Sequence, residues 1–258
     1  AGSGRGDRHQ YDQTPCLWTD GAGGVDHTEI CRFRSGTGSK LRARIGLFGG
    51  TFDPIHYGHL RLAETALSEC ALDRIIFIPA AMPPHKLAFE LTPFHHRVEM
   101  LRLALHRRPE FECSLIEAQL PAPTYTVETL RHLCRQYDED TEFFFLTGLD
   151  AFLEIQTWKE YNRLLAMASF IVSEREKEKL APFKAQLAGE LGYSMAGTLW
   201  KSNDDRLPVH FLTQAPLTVS SSTIRAKIRR GEPINGMVPE VICRYILAHT
   251  LYRGKTGQ

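Results

Sequence analysis

Short apolar runs alternate with helical apolar patterns from about residue 44 to the end of the chain, and no other feature limits the fold so strongly. Apolar strands are expected at 45–48, 75–78, 111–116, 143–146, 169–172 and 209–212. Between them, helices are expected at 57–71, 94–107, 126–137 and 176–190, with two more at 221–230 and 238–248. The first helix shows the pattern well, with Leu60, Leu62, Ala63, Ala66, Leu67 and Cys70 on one face. Strands alternating with helices over about 210 residues require crossover connections. The expected class is therefore α/β: a doubly wound parallel sheet with helices on both faces and a small helical part at the C-terminal end. Ligands of such sheets bind beyond the carboxyl ends of the strands, where the strand order reverses.

The stretch 1–43 departs from this pattern. It holds eight of the twenty glycines, little apolar periodicity and no methionine, the first being Met82. It is expected to be a disordered extension, an expression tag or upstream sequence. The domain proper is expected over 44–253, with a tail at 254–258. Thirty-one Lys and Arg against thirty Asp and Glu leave a formal charge of +1. That balance removes the electrostatic case for a duplex nucleic-acid binder or an anionic-membrane protein. Six scattered cysteines, at 16, 31, 70, 113, 134 and 243, form no CxxC and no zinc-finger spacing. They are expected as reduced, packed thiols in the cytoplasm. No run of eighteen apolar residues is present, and no secretory signal is recognisable, so no membrane association is expected.

Chemistry concentrates after the first strand, in Gly49-Gly50-Thr51-Phe52-Asp53-Pro54-Ile55-His56-Tyr57-Gly58-His59-Leu60. Adjacent glycines let a ligand approach the backbone closely. The turn opens a helix whose first N–H groups form a ready anion site. His56 and His59, three residues apart at that helix start, can both project toward one ligand. Gly58 costs about 1 kcal/mol relative to Ala in a helix, which suggests a close approach there. A plain strand–turn–helix connection accounts for two glycines, but less well for the HxGH pattern. The dinucleotide fingerprint GxGxxG is absent. A P-loop is excluded too, because His249 stands where the first glycine before Gly254-Lys255-Thr256 is needed.

A second phosphate element lies at Val219-Ser220-Ser221-Ser222-Thr223-Ile224-Arg225. Hydroxyls cap orphan helix N–H groups, and Arg225 offers a fork of donors suited to phosphate oxygens. Alone, this reads as an N-cap beside a surface arginine; together with HxGH it reads as a phosphate site.

The segment 49–60 resembles the signature of the nucleotidyltransferase superfamily that shares HxGH with class I aminoacyl-tRNA synthetases, and 219–225 resembles that superfamily's (I/V)SSTxIR, with Ser222 in the usual Thr position. Three further segments resemble the bacterial nicotinate-nucleotide adenylyltransferase family: Pro83-Pro84-His85-Lys86, Thr124-Tyr125-Thr126, and Gly148-Leu149-Asp150 followed by Trp158. The C-terminal run from Val238-Pro239 to Tyr245-Ile246 and Leu251-Tyr252 is similar in spacing to that family's ending. The likeness covers about residues 44–253. It implies a Rossmann-like fold and adenylyl transfer from ATP to nicotinate mononucleotide in NAD biosynthesis, with Mg²⁺ carried by ATP. It also implies roles for individual residues. His56, His59 and Arg225 would be catalytic. Gly49, Gly50, Thr51, Phe52, Gly58, Lys86, Gly148, Asp150, Ser221 and Ser222 would bind ATP, with Asp150 on the ribose. His85, Thr124, Tyr125, Thr126 and Trp158 would bind the mononucleotide, the Tyr125 and Thr126 amides holding its carboxylate and Trp158 stacking on its ring. No dedicated protein metal ligands are expected, and homo-oligomer formation stays open.

Other readings remain at this point. A phosphopantetheine adenylyltransferase or a glycerol-phosphate cytidylyltransferase would share HxGH and the Ser-rich element, but is not expected to match (S/T)YT and the C-terminal ending together. A non-catalytic nucleotide sensor would bind without turnover, against which the intact HxGH and Arg225 speak. A tRNA synthetase is disfavoured, because the chain lacks room for an anticodon-binding domain and has no KMSKS-like loop.

Overall fold

A computed structural model describes residues 42–82, 91–173, 180–196, 199–212 and 219–253. Most of the expected N-terminal extension, the tail at 254–258, and both His85 and Lys86 lie outside the described residues.

The strands are β1 (Arg44–Gly50), β2 (Arg74–Pro79), β3 (Phe111–Cys113), β4 (Glu142–Gly148), β5 (Ser169–Ser173), β6 (Tyr193–Ala196), β7 (Leu199–Ser202) and β8 (Val209–Phe211). They form one sheet in the order β3-β2-β1-β4-β5-β8-β7-β6. From β3 to β8 every pairing is parallel. The order runs outward from β1 in both directions, so the switch point lies between β1 and β4. Ligands of such sheets bind outside that point, where β1 ends on Gly49-Gly50 and β4 on Gly148.

Strand side chains alternate between two cores, as the period of two demands. Phe48, Ile75, Phe77, Phe144 and Leu146 join one cluster. It includes side chains of α1 (Tyr57–Glu69), α2 (Phe94–Leu105), α8 (Ser221–Arg229) and α9 (Glu240–Ala248). Ile45, Leu47, Ile76, Ile78, Phe143 and Phe145 face the other, which takes in α4 (Thr126–Cys134), α5 (Leu149–Leu153), α6 (Tyr161–Met167) and part of α7 (Leu180–Gly189). Burial on both faces is why these strands read as continuous apolar runs. A short α3 (Ile116–Gln119) precedes α4.

The doubly wound expectation holds over β1–β5 and β8, and the sheet departs from it at one edge. There β6 and β7 pair antiparallel, and β7 pairs antiparallel with β8. Their sequences, YSMA and LWKS, are short, the first mostly exposed and the second partly so. A sheet edge covered on one side needs no apolar run, so the pattern that exposes buried strands is missing there. The helices α5 and α6 also went unread, being five and seven residues long. The helix expected at 176–190 is described from Leu180 to Gly189. Cys70, Cys113, Cys134 and Cys243 are free thiols, and burial pushes those of Cys70 and Cys113 up to about 11. Among the described residues no helix is long and apolar enough to cross a membrane.

Gly46 in β1 is set by packing. A Cβ there would lie 2.9 Å from side-chain carbons of both Ile75 and Leu72, and 3.2 Å from Leu146. Gly46→Ala should lower stability by about 1–3 kcal/mol, the usual cost of overpacking a core. At Gly148 a Cβ meets nothing within 4 Å, and Gly148→Ala should shift stability by no more than about 0.5 kcal/mol. Urea denaturation of both variants checks the contrast; equal midpoints would contradict it.

Candidate active site

The turn after β1 carries the expected histidines, and they are not equivalent. His56 is 1% exposed and caps α1: its Nδ1 accepts the His59 amide at 3.3 Å. A ring nitrogen that accepts leaves the proton on the other, so neutral His56 carries its N–H at Nε2. His59 is half-buried and stacks on His56 with ring centroids 3.7 Å apart and planes 20° apart. Phe52 and Phe48 stand edge-on to the His59 ring, at 5.1 and 5.8 Å.

Gly58 separates the histidines for a reason of space. A Cβ there would sit 2.9 Å from His56 Cε1 and Nδ1, and 3.1 Å from the carbonyl oxygen of Val219. Val219 belongs to the second expected element, so the two motifs meet at this glycine. Further bonds join them. Ser221 Oγ donates to the Pro54 carbonyl at 2.9 Å, and Arg225 Nη1 donates to the Asp53 carbonyl at 2.6 Å. Segments about 170 residues apart in sequence thus form one surface. Ser220 caps α8 by accepting the Thr223 amide, while Ser222 and Thr223 are exposed at the helix start.

Other expected ATP contacts fall in varied settings. Thr51 is half-buried, whereas the Phe52 ring is 1% exposed and belongs to the core, so Phe52 can offer a ligand only its backbone. Gly148 is the N-cap of α5 at the end of β4, and Asp150 is exposed two residues on.

The expected acceptor site forms a second group. Tyr125 is the N-cap of α4 and makes no side-chain cap hydrogen bond, while the Glu128 carboxylate in the first turn accepts a backbone hydrogen bond from Tyr125. Lys159 pairs with Glu128 and lies 4.5 Å from the Tyr125 ring centroid, and Arg131 pairs with Glu160. These contacts bring Lys159, the residue after Trp158, to the start of α4. The Trp158 ring, partly buried, stands edge-on to Phe145 at 6.0 Å. Thr124 is buried and donates to Glu117 Oε2 at 2.8 Å.

Several residues that build these surfaces escaped the sequence reading. Arg97 is 1% exposed and donates to three carbonyls: Thr92 at 2.9 Å, Thr51 at 2.9 Å and Ala80 at 2.8 Å. Burial lowers its pKa, against the pull of Asp53, Tyr252 and Glu117. Glu117 also accepts the Ala81 amide, and burial raises its pKa. The buried Asp53 carboxyl accepts from the Thr92 amide at 3.2 Å and from the Tyr252 hydroxyl at 2.7 Å. A signal for Arg97 was available: it lies on the apolar stripe of α2 with Val98, Met100 and Leu101. Among the described residues no group of three or more His, Cys, Asp or Glu could hold a metal ion.

A family model described as cytidylyltransferase-like matches residues 47–227, a span that begins in β1 and ends in α8 and so contains both motifs. A protein of Desulfotalea psychrophila named "probable nicotinate-nucleotide adenylyltransferase" is 42% identical over 211 residues, covering 81% of this chain and 99% of its own. The chain belongs to the nicotinate-nucleotide adenylyltransferase family. A Thermoanaerobacter member under the same name is 39% identical over 81% of this chain and 94% of its own. In fold, the chain is similar to Plasmodium falciparum nicotinic acid mononucleotide adenylyltransferase complexed with NaAD. That likeness has a TM-score of 0.64 at 20% identity, over 82% of this chain and 98% of the other. The fold expected for a nicotinate-nucleotide adenylyltransferase is therefore the one observed.

Arg97 supports the turn after β1 through the Thr51 carbonyl, and the neighbouring backbone through those of Thr92 and Ala80. Arg97→Met should remove all three bonds and lower stability by roughly 3 kcal/mol, because buried carbonyls lose their donor. Urea denaturation measures the loss; a change under about 0.5 kcal/mol would show that Arg97 supports nothing.

Proposed function

We propose that the chain joins ATP and nicotinate mononucleotide into nicotinate adenine dinucleotide, releasing pyrophosphate, a step of NAD biosynthesis. One observation carries this reading: the HxGH turn and the start of α8 are bonded into a single donor surface at the carboxyl end of β1. That is where the switch point calls for a ligand, and its chemistry suits a polyphosphate.

A 5′-phosphate oxygen of the mononucleotide attacks the α-phosphorus of ATP. The bond from that phosphorus to the bridging oxygen breaks, and pyrophosphate leaves in line. The phosphate monoester is largely ionised near neutral pH, so no strong base is required, and catalysis rests on alignment and on donors aimed at developing charge. His59, half-exposed at the surface, is assigned to the α-phosphate. His56, whose Nδ1 accepts the His59 amide and leaves its N–H at Nε2, supports it as a second donor. The Gly49 and Gly50 backbone and the first turn of α8, with the backbone amide of Ser221 and with Ser222 and Arg225, take the remaining phosphate oxygens. Lys86 is assigned there by resemblance alone. Mg²⁺ enters with ATP as part of the substrate, and no step is assigned to it.

The acceptor is assigned to the start of α4. The Tyr125 and Thr126 amides at that helix start are assigned to its carboxylate, and Trp158 is assigned to stack on the pyridine ring. Asp150 accepts from the ribose of ATP. Localisation in the cytoplasm fits the free thiols.

His59→Ala should lower kcat by at least roughly a hundredfold, the scale of one lost charge-stabilising donor, in a pyrophosphate-release assay. Wild-type-like turnover would remove His59 from the mechanism. Nicotinate mononucleotide should also be preferred over its neutral nicotinamide counterpart in kcat/KM. Equal values for the two acceptors would defeat the assignment of the carboxylate to α4.

A further inference from the structure

The chain ends its described part by folding back on the catalytic turn. After α9, Thr250 and Tyr252 both take left-handed backbone conformations, with φ of 50° and 64°. Such conformations are uncommon for residues other than glycine and cost energy that surrounding contacts must offset. They return the Tyr252 hydroxyl to the buried Asp53, to whose Oδ1 it donates at 2.7 Å across 199 residues of sequence. The other Asp53 oxygen accepts the Thr92 amide, just ahead of α2. Burial and the Asp53 carboxylate together push the Tyr252 pKa up, so the hydroxyl keeps its proton and remains a donor.

Asp53 lies at a branch of the site. Its own carbonyl accepts Arg225. Its predecessor Phe52, also left-handed with φ of 47°, stands edge-on to the His59 ring. Its successor Pro54 offers the carbonyl that holds Ser221. Three groups assigned to phosphate are thus placed by the backbone on either side of one carboxylate. A shift of Asp53 would move all three, although neither Asp53 nor Tyr252 needs to touch the substrate.

We infer that Tyr252 is a positioning residue for adenylyl transfer: its hydroxyl, through Asp53, fixes the turn that aligns His59, Arg225 and Ser221. The proposal rests on the adenylyl-transfer reading of the site and extends it to the C-terminal segment. The link acts on alignment at the α-phosphate, so it bears on kcat. The acceptor surface at α4 and Trp158 is built from other contacts and is left unchanged.

Tyr252→Phe removes the hydroxyl and keeps the ring. In the full-length protein it should lower kcat by roughly tenfold, as expected for losing one hydrogen bond to a charged group. KM for nicotinate mononucleotide should stay within about twofold, since a factor of two is under half a kcal/mol. Asp53→Asn, which keeps an acceptor but not the charge, should cost less when combined with Tyr252→Phe than the product of the single effects. Imidazole resonances of His59 in a nitrogen-15 NMR spectrum should shift in Tyr252→Phe while the fold's other resonances stay in place. Unchanged kcat and unchanged His59 resonances would overturn the proposal. So would a loss shared equally by kcat, acceptor KM and melting temperature, which marks a purely structural residue. If the wild-type protein gives no dinucleotide product yet the His59 resonances shift in the variant, the positioning link stands and the adenylyl-transfer reading fails.

Discussion

Everything in the site depends on how one short stretch of backbone, Thr51 to Pro54, is held. Its carbonyls accept from Arg97 of α2 and from Arg225 and Ser221 of α8, and its one carboxylate accepts from Thr92 and from Tyr252. A turn of this kind has too few internal bonds to keep one shape. Donors from elements far apart in sequence supply the missing constraint. Arg97 matters most among them because it is fully enclosed, and its desolvation is offset by the three carbonyls it serves, by the negative groups around it and by the Phe94 ring it lies over.

A held turn is what this chemistry requires. Phosphoryl-type transfer asks little covalent work of the protein and much alignment. Donors that need not reorganise as charge develops are worth more than mobile ones. The enclosure of His56 fits that demand: a ring fixed in one tautomer by the His59 amide is a preset dipole. Division of labour between a buried cap and a half-exposed partner also explains why the spacer must be Gly58, whose bare Cα lets the His56 ring and the Val219 carbonyl come together.

The sequence made much of this legible because burial on both faces of a parallel sheet writes itself as apolar runs. Strands β1, β2, β4 and β5 were readable for that reason, as was the position of the histidines at a helix start. The antiparallel edge of β6 and β7 was not, since half-exposed short strands carry no such run. Within the site, local features were visible: the two glycines, the paired histidines, the hydroxyl cluster before Arg225. What escaped was long-range. Arg97, Glu117, Asp53 and Tyr252 act through partners that adjacency in sequence does not announce. The different burial of His56 and His59 was hidden as well, because identical residues three apart look interchangeable until the helix cap is seen.

The most direct test is a crystal structure of this chain with a non-hydrolysable ATP analogue. Oxygens of the α-phosphate should lie within about 3.2 Å of a ring nitrogen of His59 and of donors in the first turn of α8, the ordinary reach of a hydrogen bond. The Tyr252 hydroxyl should still rest on Asp53. A triphosphate seated away from the end of β1, with His59 touching none of it, would contradict the account at its root.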